Sequence, residues 1–259
     1  MVEEPIEESI FDLCGSCGAQ QAFNFRYCSA CGQLNANIRE KQTRVFERQT
    51  GHLVQLAWYG GCLLALLLLG AFSDESWQMD GVFGSIMAIL IVGFLLYDGP
   101  SVWRIILPER VEIFPLLVAI LAATVSSTLV PPLVDAINER VMGYSPPLTE
   151  LYPSGTQGMV LALLFIAVFP AVFEELAFRG FVFRKVEAIT RNPNSALWAS
   201  SILFAMVHFS FLSLFWLLPF GLFLGWLRLR YQTLLYGMVA HFLHNGLVVM
   251  QEFEGWSLW

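Results

Sequence analysis

Charged residues are scarce in this sequence. Asp, Glu, Lys and Arg make up 14% of its 259 residues, whereas an average soluble domain has about 25%. Hydrophobic residues make up 56%, and the mean hydropathy is +0.62. This composition excludes an ordinary soluble domain. It predicts an all-α fold, a polytopic membrane bundle of about seven spanning helices.

A secretory signal peptide is also lacking at the start of the chain. Residues 1–12 contain no Lys, no Arg and no apolar run, but they carry Glu3, Glu4, Glu7 and Glu8. A signal peptide needs a basic segment followed by an apolar one. We therefore expect an acidic tail at 1–12 and a cytoplasmic N-terminus.

Cysteine is nearly absent after residue 31, where Cys62 is the only one. The other four form two Cys-x-x-Cys pairs, each followed by Gly: Cys14 with Cys17, and Cys28 with Cys31. Four thiolates in two such pairs suit tetrahedral zinc, so we predict a zinc ribbon at 13–33 that resembles the knuckles of many prokaryotic proteins. Two disulfides or a redox pair are the alternative, which a reducing cytoplasm disfavours.

The sequence indicates the role of the predicted ribbon less specifically than it indicates the metal. Arg26 is its only basic residue, so binding to nucleic acid has little electrostatic support. A module of about twenty residues cannot bury enough core to fold alone, and metal binding would supply most of its folding free energy. We expect a structural module or one that docks a protein partner.

The rest of the chain alternates between apolar spans and short polar connections. A basic polar linker at 34–51 precedes the predicted membrane domain at 52–259, and the proline pair Pro131-Pro132 is expected to end the third span. With a cytoplasmic N-terminus, every Lys and Arg except Arg140 falls on the predicted cytoplasmic side, in agreement with the positive-inside rule. The spans are expected at about 52–72, 81–97, 113–133, 157–186, 196–211, 214–227 and 234–253.

The fourth span carries the most costly residues of the sequence. Glu174, Glu175 and Arg179 follow a run from Met159 to Phe173 that has no charge, and each charge inside a bilayer costs about 2.5–3.5 kcal/mol on insertion scales. In a helix, Glu175 and Arg179 are four residues apart and can pair, which leaves Glu174 free. Pro170 could loosen this helix, and we predict a long, bent span that runs to about Val186.

Histidine is rare, with four residues in all, and three of them fall in the last 90 residues with a potential partner nearby. Phe204 and His208 share one helical face, as do His241 and Asn245, whereas His244 turns away. A buried carboxylate beside an imidazole can activate a water molecule. An imidazole N–H and an amide NH₂ can stabilise a developing oxyanion.

These motifs resemble those of a known enzyme family. Glu174-Glu175-x-x-x-Arg179, Phe204-x-x-x-His208 and His241-x-x-x-Asn245 are similar to the three motifs of the CAAX protease and bacteriocin-processing (CPBP) family of intramembrane proteases, which includes the Ras-converting CAAX endopeptidases. The resemblance covers about 100 residues, within a motif-bearing core at 157–253.

The resemblance implies a role for each motif residue. Glu174 and His208 would activate the water, while His241 and Asn245 would form the oxyanion hole. Glu175, Arg179 and Phe204 would support the site structurally. Family sites have been described both as metal-dependent and as glutamate-based; two His and one Glu could hold zinc, but we favour a site without a catalytic metal.

The sequence therefore predicts an integral membrane endopeptidase, located in a prokaryotic inner membrane, that hydrolyses a membrane-associated peptide or protein. One alternative is a non-catalytic scaffold or a bacteriocin-immunity type of protein, in which the zinc ribbon recruits a partner. Another is a proton-coupled transporter, which is disfavoured because no inverted repeat is visible.

Overall fold

The computed structural model describes residues 11–22, 26–73, 76–99, 103–144, 147–208 and 214–255. Most of the predicted acidic tail, residues 1–10, lies outside this part of the chain. The chain divides into two compact units, Met1–Val54 and Gln55–Trp259.

The first unit contains a small β-ribbon. Strand β1 (Phe11–Leu13) pairs antiparallel with β2 (Gln20–Ala22), and a single bridge joins Tyr27 to Leu34. Each Cys-x-x-Cys pair is followed by a glycine at φ 71°. This left-handed conformation costs glycine little. It lets the chain turn back at the same point of each pair.

Seven helices make up most of the described chain, so the predicted all-α fold is confirmed. Four of them, α1 to α4, are long and apolar enough to cross a membrane. The helices are α1 (Ala36–Ala71), α2 (Trp77–Asp98), α3 (Ile113–Met142), α4 (Thr156–Thr190), α5 (Pro193–Met206), α6 (Leu214–Tyr231) and α7 (Leu235–Glu254).

The boundaries of two helices differ from those expected. Helix α1 begins at Ala36, so most of the segment expected as a linker is helical. Helix α3 continues past Pro131 and Pro132 to Met142, and the prediction that these prolines end the span is wrong. Prolines in a membrane helix are tolerated when nearby hydroxyls and neighbouring helices compensate for the lost backbone hydrogen bonds.

Hydroxyl groups of α3 hydrogen-bond to helix carbonyls two turns before these prolines. Ser126 donates to the carbonyl of Ala123, while Ser127 and Thr128 both donate to that of Thr124. Ser and Thr within a helix often form hydrogen bonds of this kind, from the side-chain hydroxyl to a backbone carbonyl in the preceding turn.

Helix α4 is the centre of the second unit, and its length over 35 residues confirms the predicted long span. It contains two wide-turn π segments, Leu163–Val168 and Pro170–Val182. All nine residues from 175 to 183 are buried, so this part of the helix is covered on every side. A helix buried all round must be surrounded by other elements.

Close helix contacts and ion pairs fix the neighbours of α4. At its far end, Lys185 and Arg184 both pair with Asp98 of α2. On another side, Gly225 of α6 lies against Leu197 of α5, because a Cβ at this glycine would stand 2.5 Å from Leu197 Cδ1. Helix α4 is thus anchored to α2, and α5, which bears the second motif, packs closely on α6.

Candidate active site

The wide-turn segment of α4 holds a fully buried ion pair. Arg179 Nη1 donates to Glu175 Oε1 over 2.8 Å, at the four-residue spacing from which this pairing was expected. Its Nη2 donates to the carbonyl of Gly221 over 2.9 Å, and its guanidinium lies 4.3 Å from the centre of the Phe204 ring. A buried charge is tolerated when it is paired and hydrogen-bonded in this way.

Glu175 also contacts α7, the helix that bears the third motif, which the sequence did not predict. Its Oε1 lies 3.2 Å from Nδ1 of His241. This oxygen already accepts a hydrogen bond from Arg179. The hydrogen bond between Glu175 and His241 therefore uses a proton carried by Nδ1 of His241. The second ring nitrogen, Nε2, is then directed away from Glu175 and lies 3.9 Å from Oε2 of Glu174.

The two adjacent glutamates have different environments. The Glu174 side chain is 22% exposed, whereas that of Glu175 is 1% exposed. Glu174 Oε2 is buried and has no hydrogen-bond partner among the described residues. One carboxylate is thus held by Arg179 and His241, and the other faces the imidazole with an oxygen still available.

A glycine makes room for the buried carboxylate. A Cβ at Gly237 of α7 would stand 3.0 Å from Glu175 Oε2, closer than real Cβ atoms normally approach. Gly237 lies one helical turn before His241 on the same face. Glycine at this position lets α7 come close enough to α4 for His241 to reach Glu175.

Phe204 contacts both of the other aromatic site residues. Its ring centre lies 5.8 Å from that of His241 and 5.1 Å from that of His208. His208 follows the end of α5 and is exposed, and its Nδ1 lies 2.8 Å from the carbonyl of Phe204. Because a carbonyl can only accept, Nδ1 carries the proton and Nε2 of the neutral ring has a free lone pair.

The expected convergence of four polar groups is present only in part. Glu174 and His241 face each other, but no hydrogen bond or ion pair between His208 and Glu174 occurs among the described residues. The five residues that follow His208, at 209–213, lie outside the described chain. The site therefore has a compact centre on α4 and α7, with His208 at its side.

Asn245 lies one turn beyond His241 on α7, and its amide reaches the main chain of α4. Nδ2 donates to the carbonyl of Ile166 over 2.7 Å. Residue 170, four positions after Ile166, is the proline of α4 and has no N–H to donate to that carbonyl. One N–H of Asn245 thus serves the backbone beside Pro170, and its second N–H is left for another acceptor.

His244 has a partner of its own. It lies on a different face of α7 from His241 and Asn245, as predicted. Its Nδ1 lies 2.8 Å from Ser126 Oγ of α3, and its ring packs 4.9 Å from that of Phe220. The link between Ser126 and His244 was not predicted. A Ser–Ser–Thr run within an apolar span is the only sequence signal that could have suggested it.

The four ribbon cysteines form a candidate metal centre. Their sulfur atoms all lie within 4.8 Å of one another, with 3.7 Å between Cys14 and Cys31 and 3.6 Å between Cys17 and Cys28. Tetrahedral zinc with bonds of about 2.3 Å to sulfur requires separations near 3.8 Å. Among the described residues, this is the only group of three or more His, Cys, Asp or Glu side chains close enough to share one ion.

The backbone around Cys14 favours the thiolate form of this residue, which is the form that a metal requires. Amides of Ser16 and Cys17 hydrogen-bond to the sulfur of Cys14 and lower the pKa of this thiol to about 6. A thiolate at neutral pH is the metal-binding form of cysteine. The donor set and its spacing therefore fit a metal ion.

Comparison with known proteins identifies the family of the motif-bearing helices. Residues 156–247 match the family model described as type II CAAX prenyl endopeptidase Rce1-like. No curated protein and no solved structure matches the chain. The matched range begins with α4 and ends in α7, and it contains Glu174, Glu175, Arg179, Phe204, His208, His241 and Asn245. The three motifs on these helices therefore lie in a region that is similar to the Rce1-like CAAX prenyl endopeptidase family.

Proposed function

We propose that this protein is an intramembrane endopeptidase that hydrolyses a peptide bond in a membrane-associated peptide or protein. The observation that carries the proposal is the contact of Glu174 with His241 beside a fully buried Glu175–Arg179 pair. A mostly buried carboxylate with one oxygen unpartnered among the described residues, next to an imidazole in an apolar bundle, has the components required to activate a water molecule.

In the proposed reaction, Glu174 accepts a proton from the water as its oxygen attacks the scissile carbonyl carbon. His208, whose Nε2 has a lone pair in the neutral ring, shares this proton. The resulting oxyanion accepts hydrogen bonds from the second N–H of Asn245 and from His241 Nε2. The carbon–nitrogen bond then breaks, and the departing amine takes up the proton first removed from the water.

The role of His241 as a donor sets a condition on its protonation. Nδ1 is directed at Glu175, so Nε2 can donate to an oxyanion only when both ring nitrogens carry protons. Glu174 and Glu175, on either side of the ring, are suitable partners for a cationic imidazole. Glu175 with Arg179 would hold the ring in its orientation.

The proposal is tested by cleavage of a fluorogenic membrane peptide by the purified chain in lipid vesicles. Glu174→Gln and His208→Ala should each lower kcat/KM by about 10²–10⁴-fold, which is the usual contribution of a general acid or base. Glu139→Gln changes an exposed carboxylate of α3 to the same amide and is the matched control. Full cleavage by Glu174→Gln would rule out the proposed reaction. If cells that carry this variant keep the phenotype of cells with the unchanged protein, the non-catalytic scaffold would be favoured.

We further propose that the ribbon holds one structural zinc and that it lies on the cytoplasmic side with the N-terminus, in a prokaryotic inner membrane. The proposal is supported by the sulfur separations and by the bias of Lys and Arg along the sequence. In this arrangement the ribbon is free to dock a cytoplasmic partner, while the substrate comes from the bilayer. Labelling of an introduced N-terminal cysteine with a membrane-impermeant reagent, in intact cells and in open membranes, tests the orientation.

A further inference from the structure

One side chain of α1 is buried, unlike the other side chains that the structure describes in this helix. Between residues 43 and 71, Tyr59 is the only buried residue, with 2% of its surface exposed. A helix that mostly faces lipid has little reason to bury a polar aromatic residue. Phe or Leu at this position would provide the same packing without a hydroxyl group.

The ring of Tyr59 is held firmly in the second unit. It packs against Phe94 of α2 at 5.5 Å and against Phe181 of α4 at 5.2 Å, measured between ring centres. Phe181 belongs to the same wide-turn segment as Glu174. The tyrosine therefore contacts the helix that carries the candidate catalytic carboxylate.

The hydroxyl of Tyr59 lacks a partner although it is buried. No described residue accepts or donates a hydrogen bond at this oxygen, and the same holds for Oε2 of Glu174. Leaving a buried polar group unsatisfied costs about 1–3 kcal/mol. Buried polar atoms of this kind are usually satisfied by an ordered water.

The two unpartnered atoms are chemically complementary. Glu174 is near enough for its charge to act on the Tyr59 hydroxyl, but no hydrogen bond joins the two groups. A hydroxyl can donate a hydrogen bond, and a carboxylate oxygen can accept one. A water molecule between them would accept from Tyr59 and donate to Glu174.

Gln55 supplies a further polar atom on the same side of α1. It precedes Tyr59 by four residues, and its Oε1 is also buried without a partner. Two polar side chains one turn apart on α1 therefore each have a buried oxygen without a hydrogen-bond partner among the described residues. This helix lies outside residues 156–247, the range that the family model matches.

We propose that Tyr59 is a further residue of the active site, whose hydroxyl holds a buried water against Oε2 of Glu174. This inference rests on the proposed function, because the water so held is the one that Glu174 would activate. Tyr59 would fix the direction of the water lone pairs while Glu174 takes the proton. Helix α1 would then contribute to the reaction as well as to the bundle.

The test uses Tyr59→Phe, which removes the hydroxyl and keeps the ring, and Tyr97→Phe, the same change at an exposed position of α2. With the full chain in vesicles, Tyr59→Phe should lower kcat for the fluorogenic peptide by about 10- to 100-fold, the effect of one hydrogen bond to a charged group. KM and the thermal midpoint should remain unchanged. In a Glu174→Gln background, Tyr59→Phe should have no further effect.

An infrared measurement separates this inference from the proposed function. The carboxyl band of Glu174 is identified as the one lost in Glu174→Gln, and it should shift in Tyr59→Phe but not in Tyr97→Phe. A shifted band in a chain that cleaves no peptide would refute the protease activity and support the link between Tyr59 and Glu174. An unmoved band would overturn the inference, whatever the effect on kcat, and so would full activity of Tyr59→Phe.

Discussion

Glu175 Oε1 lies 3.2 Å from His241 Nδ1, although the two residues are 66 positions apart in the chain. The same oxygen accepts a hydrogen bond from Arg179. This one carboxylate oxygen therefore pairs with the charge of Arg179 on α4 and also orients the imidazole of His241 on α7. Structural support and site geometry depend on the same three side chains.

Loss of the arginine should destabilise the fold strongly. Arg179→Met leaves Glu175 as a buried charge without its cation, and such a change costs about 3–5 kcal/mol. We expect a marked fall of the thermal midpoint in detergent micelles. Arg230→Met, at an exposed position of α6, is the matched control and should leave the midpoint within error. Equal midpoints for the two variants would contradict the buried pair.

The close approach of α7 to α4 should require glycine at position 237. Gly237→Ala places a Cβ 3.0 Å from Glu175 Oε2 and must move either the carboxylate or the helix. We expect at least a tenfold loss of peptide cleavage, since a displacement of about 1 Å at a catalytic group can cost 10²-fold. The measurement is kcat/KM in vesicles.

Gly246→Ala provides the control for this steric effect on the same helix. Its Cβ would meet only Ala167 and Leu163 at 3.8 and 3.9 Å, which are ordinary contacts. Alanine is favoured over glycine in a helix by roughly 0.5–1 kcal/mol, so this variant should be active and at least as stable. If both variants behave alike, the fit at Gly237 has no special role.

Asn245 and Pro170 should be energetically coupled. Asn245→Ala removes the donor to the Ile166 carbonyl and should cost about 1–3 kcal/mol. Pro170→Ala restores an N–H at residue 170 that can serve this carbonyl, so the same Asn245→Ala change should cost less in that background. A double-mutant cycle of unfolding free energies measures the difference, which we expect to be about 1 kcal/mol. A coupling of zero would show that the carbonyl is satisfied in another way.

The chain should bind one zinc ion in its ribbon. Elemental analysis of purified protein should give one equivalent, which Cys14→Ser with Cys28→Ser removes because half of the ligands are lost. The variant His208→Ala with His241→Ala should retain the full equivalent. A second equivalent that disappears with the histidines would indicate a catalytic metal and contradict the mechanism proposed here.

The sequence predicted the features that depend on local spacing. The length of α4, the pairing of Glu175 with Arg179 and the grouping of the four cysteines all follow from periodicity or motif spacing. It did not predict the contact between Glu175 and His241, because this depends on how closely α7 approaches α4 at Gly237. The end of α3 was also missed, since a membrane helix can continue through prolines when its surroundings compensate, and residue spacing does not show those surroundings.

The position of His208 shows where motif spacing alone is insufficient. The four-residue interval to Phe204 placed both rings on one face, and their ring contact agrees with that. However, the residue lies after the last turn of α5, and its distance from Glu174 depends on how α5 is placed relative to α4. Spacing within one helix could not give this distance.

The two prolines of α3 also affect the mechanics of the bundle. Neither Pro131 nor Pro132 can donate a backbone hydrogen bond, so bending resistance is lowest at this point of the helix. Ser126, one turn earlier, is bonded to His244 on the helix that bears His241. A change in the bend of α3 at its prolines would therefore be passed to α7 through the bond between Ser126 and His244.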